Sequence, residues 1–247
     1  MKVLIVRPQP SAKELYDALC NIGVVANYCP VISFQQSFPP INALNHLAHS
    51  EVVIAVSQPS VHYTNKILTK QSQNWPTSAQ YFAVGSKTAT YLHSTAHLTV
   101  SSPKSEDTEG LLELLGSHDL KGRKVSILRG ESGREMLYES LQQTGADVVY
   151  VESYQRQWLS FDGECKVIQW QQDEVDTLIV TSFEQLKFFA QQIPTQSKNW
   201  LHSLQLMVPS ERVAKLASHL GFTQIHNIKG ASNKAIIDSI QANYIGK

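Results

Sequence analysis

The sequence predicts an α/β protein made of two flavodoxin-type units, each a parallel five-stranded sheet flanked by helices. Three observations predict it. Short apolar runs bounded by turn residues alternate with helical stretches along the whole 247-residue chain, which is the pattern of parallel sheets covered on both faces. Strand after strand runs through a small polar turn into a helix, as in doubly wound sheets. A block near the N-terminus is echoed in the middle of the chain, so the architecture is repeated.

The middle block, KVSILRGESGREMLYESLQQTGADVVYVESY at 124–154, reads as a strand (Val125–Leu128), a turn, a helix (Ser132–Thr144), a Gly145 stop and a second strand (Asp147–Val151). Ser132 followed by Glu135 has the form of a capping box, which places the helix start just after Arg129-Gly130. Residues 2–28 run strand (Val3–Val6), helix (Ser11–Asn21), Gly23 stop and strand (Val24–Tyr28) in the same way. At an offset of 124 − 2 = 122, Lys2, Val3, Ile5, Arg7, Leu15, Tyr16, Leu19, Gly23 and Tyr28 meet identical residues. Ser11 and Glu14 repeat the capping box one position out of step.

The remainder repeats more faintly. Val53–Ser57 matches Leu178–Ser182, and Tyr81–Leu92 matches Leu206–Leu216. Thr108–Leu115 matches Asn233–Ile240 as a terminal helix, and weaker strands near His97–Val100 and Gln224–Ile228 complete each set. Counting these gives about ten short strands. Segments 71–80, 101–107, 159–174 and 194–203 are polar, Pro-rich or Gln-rich and read as loops. Pro30–Ser37 and Glu152–Trp158 are short, extended and equivalently placed, and read as paired connections between domains.

Composition narrows the function. Apolar residues make up 42% of the chain and no segment has the length of a membrane-spanning helix. MKVLIVRP reads as a first strand rather than a signal peptide. Lys+Arg and Asp+Glu balance at 21 each, so nothing suggests a nucleic-acid partner, and an anion would be bound by local geometry. Cys20, Cys29 and Cys165 are odd in number and widely spaced, which fits reduced thiols in a cytoplasmic protein. P-loop, GxGxxG, HExxH, GxSxG and EF-hand patterns are all absent, so a Rossmann nucleotide site is disfavoured and no metal site is expected. Catalysis would rest on holding a substrate rather than on a strong nucleophile.

What remains is a set of hydroxyls at strand ends: Ser57, Ser86, Thr88, Ser182 and Ser210. Ser and Thr there serve as helix N-caps, and a capped helix end still offers N–H groups to an anion. Ser182 with Gln185 has the form of a capping box. Arg7 and Arg129 follow their strands directly and are read either as structural ion pairs or as anion partners. Tyr154 is either a packed strand aromatic or a site residue.

These residues resemble a known family. LRGESGR at 128–134, VESYQR at 151–156, AVGSKTATYL at 83–92, EDTEGLLELL at 106–115 and the turn Pro209-Ser210-Glu211-Arg212-Val213-Ala214 closely resemble uroporphyrinogen-III synthases, over nearly the whole chain. The repeat alone suggests a domain cut near residue 120. The resemblance implies instead one discontinuous domain of 1–33 and 158–247 and a second of 38–151. Residues 34–37 and 152–157 would connect them as a two-stranded β-ladder. It also implies a substrate, hydroxymethylbilane, a linear tetrapyrrole bearing eight carboxylates. The enzyme would remove its terminal hydroxyl as water, invert ring D through a spiro intermediate and close the macrocycle in a cleft between domains. Tyr154 matches the family's tyrosine near the cleft and would act as a general acid. Substrate-binding candidates are Arg7, Ser57, Gln58, Ser86, Lys87, Thr88, Arg129, Gly130, Arg134, Ser182, Phe183 and Ser210. Some relatives carry a second Thr in the late turn where this chain has Ser210-Glu211, and the Glu211 carboxylate would point away from the substrate or pair with Arg212. The resemblance implies no cofactor and a monomer, and admits transient contact with hydroxymethylbilane synthase. The competing readings are a non-enzymatic intracellular binder or sensor of a polyanion and an inactive relative. A receiver domain is a weaker rival, since clustered Asp residues for Mg²⁺ are missing.

Overall fold

In the computed structural model, residues 1–133 and 135–244 are described. The first stretch holds β1 (Lys2–Val6), α1 (Ser11–Asn21), β2 (Val25–Tyr28), β3 (Ile32–Gln36) and α2 (Ile41–Ala48). Next come β4 (Val52–Ala55), α3 (Gln58–Lys70), β5 (Gln80–Ala83), α4 (Ser86–Ala96), β6 (Val100–Ser101) and α5 (Thr108–Leu115). The repeat block supplies β7 (Lys124–Gly130), α6 (Met136–Gln143) and β8 (Asp147–Trp158). After it run α7 (Gly163–Gln172), β9 (Thr177–Val180), α8 (Phe183–Gln192), a 3₁₀ turn (Thr195–Ser197) and α9 (Lys198–Ser203). The chain closes with β10 (Gln205–Val208), α10 (Glu211–His219), β11 (Ile225–Asn227) and α11 (Asn233–Tyr244).

The chain divides into two compact units, Met1–Ser33 with the chain from Gln157 onward, and Phe34–Arg156. The first carries a sheet of order β11-β10-β9-β1-β2, parallel at every pairing. The second carries the order β3-β8-β7-β4-β5-β6, with parallel pairs from β8 to β6. Numbered from the strand that opens each repeat, both sheets have the flavodoxin order 2-1-3-4-5, and β3 adds a sixth strand beside β8 in the second.

The duplication is visible residue by residue. Lys2 pairs with Val25 and Ile5 with Tyr28; Lys124 pairs with Asp147 and Ile127 with Tyr150. Each partner is displaced by the same 122 positions (124 − 2; 147 − 25). Gly23 and Gly145 end the two helices with φ of +80° and +82°, the left-handed turn that glycine adopts without a Cβ clash.

Central strands are buried on both faces, as parallel sheets require. All four residues of β4 and of β9 are buried. In the first unit Val3, Ile5, Leu15, Leu19, Ile179, Ile236 and Ile240 pack in one cluster. In the second, Leu44, Val53, Val61, Leu92 and Leu128 pack on one face and Ile54, Leu111, Ile127, Leu137 and Leu141 on the other.

Several expectations need correction. Segments 159–174 and 194–203 are not loops throughout: Asp162 caps α7, accepting from Cys165 N at 3.1 Å, and Val167 and Trp170 anchor that helix beneath a Gln-rich outer face. The shorter α9 is anchored by Leu201. The strand expected to end at Val151 continues to Trp158. His97 is the left-handed cap of α4 and not strand. Neither of the capping boxes expected in the two repeated blocks forms. α1 begins after Pro10 with no side-chain cap, and Glu14 accepts instead from Asn233 Nδ2 at 3.4 Å. α6 begins only at Met136, because Glu135 is drawn to other partners.

Candidate active site

The chain leaves the middle of the second sheet in opposite directions: β7 leads outward to β8, and β4 leads to β5 and β6. Ligands of open α/β sheets bind beyond the carboxyl ends of strands at such a reversal. A cavity of about 210 Å³ lies there, lined among others by Ser57, Val84, Arg129, Gly130, Tyr150 and Tyr154.

Ser57 ends the turn after β4 and caps α3. Its Oγ accepts from Ser60 N and its own N–H donates to Ser60 Oγ, both at 3.3 Å. The same Oγ lies 3.2 Å from the phenol oxygen of Tyr154. Tyr154 stands on β8, 4% exposed, with Phe34 edge-on at 5.4 Å and Tyr63 stacked at 6.0 Å. The reading of Tyr154 as a packed strand aromatic is borne out by these ring contacts, and the residue also lines the cavity.

Arg129 is buried, and several groups compensate its charge. Nη1 donates to Glu135 Oε1 at 3.0 Å, Nε donates to Gly130 O at 3.0 Å, and Glu152 Oε1 lies 3.8 Å from Nε. Its guanidinium carbon stands 4.2 Å from the centroid of the Tyr150 ring, within cation–π range. Tyr150 donates its hydroxyl to Glu135 Oε2 at 2.7 Å. The Tyr150 bond and then Arg129 hold the Glu135 carboxyl below its usual range, while burial and the Glu135 bond raise Tyr150.

The start of α4 is separate. Gln58, Ser86 and Lys87 line a surface groove with Thr90, Tyr91 and Ser94, and Gln58 Nε2 donates to Lys87 O at 3.2 Å. Gly85, not Ser86, is the N-cap. The hydroxyl of Ser86 donates to Glu106 Oε1, as does its N–H at 3.0 Å, and these bonds hold Glu106 below the usual carboxylate range. Thr88 is buried in α4 and lines neither space.

In the first unit, Arg7 follows β1 and donates through Nη1 to Asn233 Oδ1, while its buried Nε has no hydrogen-bond partner among the described residues. Burial lowers its pKa and Glu14 opposes that shift. Ser182 caps α8, accepting from Gln185 N at 3.2 Å. The box is only half made, because Gln185 Oε1 accepts from Thr181 instead. Phe183 is the first residue of α8 and half-buried. Ser210 caps α10, accepting from Val213 N at 3.4 Å, and Glu211 beside it is exposed. Arg134 lies outside the described residues.

No group of three or more His, Cys, Asp and Glu among the described residues is placed to hold a metal. His93 and His97 stand four apart, yet His93 Nδ1 is bonded to Leu98 O and His97 has left the helix. Sequence reasoning missed Tyr150, Glu135 and Glu106. Tyr150 carried a signal, as the repeat partner of Tyr28; the carboxylates carried none, since their partners come from folding.

Three comparisons show which known proteins the chain is similar to. The family described as uroporphyrinogen-III synthase HemD matches residues 13–238. Uroporphyrinogen-III synthases of Escherichia coli and Salmonella typhimurium are each 35% identical over 246 residues, covering 98% of this chain and 100% of theirs. Solved structures of a mutant uroporphyrinogen III synthase from Thermus thermophilus and of the Helicobacter pylori synthetase align with TM-scores of 0.61. Each is 15% identical and covers 98% of this chain, with 98% and 99% of their own chains covered, so they share the fold. No helix among the described residues is long and apolar enough to cross a membrane. With a family match over most of its length and full-length relatives at this identity, the chain belongs to the uroporphyrinogen-III synthase family.

Proposed function

We propose that this protein converts hydroxymethylbilane to uroporphyrinogen III, with loss of water and inversion of ring D, as a step of tetrapyrrole biosynthesis. The observation that carries the reading is the Tyr154 hydroxyl, held 3.2 Å from Ser57 Oγ on the wall of a cavity at the β4/β7 reversal, in a chain of this family. The phenol O–H donates its proton to the departing hydroxyl, which leaves as water. The phenolate takes back the proton released when the pyrrole carbons join. Packing by Phe34 and Tyr63 fixes the ring, so orientation contributes alongside acidity.

Arg129, Gly130 and Ser57 face the same cavity and act on the substrate there. Gln58, Ser86, Lys87 and Thr88 around α4, with Arg7, Ser182, Phe183 and Ser210, are proposed as further contacts for its carboxylates. Residues 1–33 with 158–247 and residues 38–151 serve as the two domains, connected by 34–37 and 152–157. The protein works as a cytoplasmic monomer, in transient contact with hydroxymethylbilane synthase.

The test is turnover of freshly generated hydroxymethylbilane, with uroporphyrin isomers separated after oxidation. Type III in excess over the spontaneous type I product is the expected result. Type I alone, at the uncatalysed rate, removes the reading and leaves a non-enzymatic polyanion binder.

A further inference from the structure

Glu135 occupies a position where its behaviour calls for a reason. It stands at the N-cap of α6 in a helical conformation and makes no side-chain cap, although an acidic residue at a helix start ordinarily satisfies an orphan N–H. Its side chain turns away to Arg129 and Tyr150, one oxygen to each. Exposure is unequal across the pair: the Glu135 side chain is 54% exposed and that of Arg129 only 6%. The anion comes from the solvent side, while the cation and the phenol belong to the wall. Gly133 leaves room beside them, since a Cβ there would stand 3.1 Å from Arg129 Nη2.

We infer that Glu135 is a placeholder carboxylate, and that Arg129 and Tyr150 form a subsite that exchanges it for a carboxylate of the substrate. This rests on the proposed function and adds a site to it. Glu152, 3.8 Å from Nε, offsets part of the charge but is too far to accept a hydrogen bond. An empty subsite would therefore leave the buried Nη1 of Arg129 without the acceptor that Glu135 supplies, which is costly. The placeholder removes that cost. Exchanging one carboxylate for another leaves the charge of the cluster unchanged, with Glu152 still 3.8 Å from Arg129 Nε. Both donors keep an oxygen acceptor throughout. Glu135 is exposed enough to swing into water when displaced, and α6 then has a free acidic residue at its start.

The test is Glu135→Gln, which keeps the shape and removes the competing charge. In hydroxymethylbilane turnover its KM should fall about fivefold, the equivalent of a half-exposed ion pair no longer competed for. An equal or higher KM overturns the inference. The second measurement needs no variant and decides the matter where Glu135→Gln fails to fold. The Glu135 carboxyl is titrated by carbon NMR in the wild-type protein, free and saturated with uroporphyrin III. Displacement returns its titration to the ordinary carboxylate range. A carboxyl that stays depressed in the complex overturns the inference. Failure of the functional reading looks different, because the wild-type protein would then yield only type I product.

Discussion

Gly130 lies directly under the ring of Tyr154: a Cβ on this glycine would stand 2.8 Å from Tyr154 Cζ. The bulge at Arg129/Gly130 brings the two residues opposite each other in the β7–β8 register. The missing side chain is therefore what gives the phenol its place beside Ser57. Gly130→Ala should push the ring off that position and destabilise the protein by about 1–3 kcal/mol through overpacking. Turnover should fall along with thermal stability, and an unchanged rate would show that the ring position is immaterial.

Tyr154→Phe keeps the packing and removes the hydroxyl. We expect turnover to slow by about a hundredfold, the lower end of general acid contributions, without being abolished. Ser57→Ala should cost about 1 kcal/mol for the lost helix cap, measured by thermal unfolding, and should also slow turnover by freeing the phenol. A Tyr154→Phe enzyme at full rate would make the tyrosine a packing residue only.

The matched helix stops permit a paired measurement. Gly23 has nothing within 4 Å of its would-be Cβ, and Gly145 has Lys121 Cγ at 3.4 Å. Replacement by alanine therefore adds backbone strain and little else, about 1 kcal/mol at each site. Equal losses in denaturant unfolding are expected from Gly23→Ala and Gly145→Ala. A loss at one site alone would mean that the two turns are not equivalent.

Thiol chemistry separates the cysteines. Burial raises Cys29 to about 11, against a smaller opposing effect of Lys166. At pH 8 roughly a thousandth of it is thiolate. Cys20 and Cys165 are exposed, so iodoacetamide should label those two first and reach Cys29 far more slowly. Equal labelling of all three would contradict the half-buried setting and raised thiol pKa of Cys29.

Acid should act through the carboxylates. Glu135 and Glu106 are both depressed, by Tyr150 with Arg129 and by Ser86 respectively. Each binds fewer protons folded than unfolded, so stability rises with pH through their titration. Their contribution is complete above the unfolded carboxylate range and is lost as pH falls through the folded values. Tm should therefore drop below that range, and Glu106→Gln should flatten part of the decline. A slope unchanged in that variant would assign acid unfolding to other groups.

The sheets were legible because the repeat prints the same strand–helix–glycine pattern twice, and a period of two or 3.6 survives without knowledge of contacts. Helix starts were less so. Ser132 and Glu135 match a capping box by spacing, yet Arg129 and Tyr150 outcompete the backbone for the carboxylate, and both come from strands. α7 was hidden by its glutamines, which face outward while Val167 and Trp170 alone anchor it. The meeting of Ser57 with Tyr154, 97 residues apart, follows from the strand order and from no local pattern.

That strand order also governs how the molecule is made. β1 and β2 are synthesised first, but the other neighbour of β1 is β9, beginning at Thr177. While the ribosome builds everything between, Val3–Val6 has one open hydrogen-bonding edge and an unfilled apolar face. The inner unit, by contrast, gains its last strand at Trp158 and can close first. The nascent chain thus carries an unfinished sheet edge through most of translation. A stalled or truncated product ending before Thr177 would keep that edge open, a natural client for chaperones and a seed for aggregation.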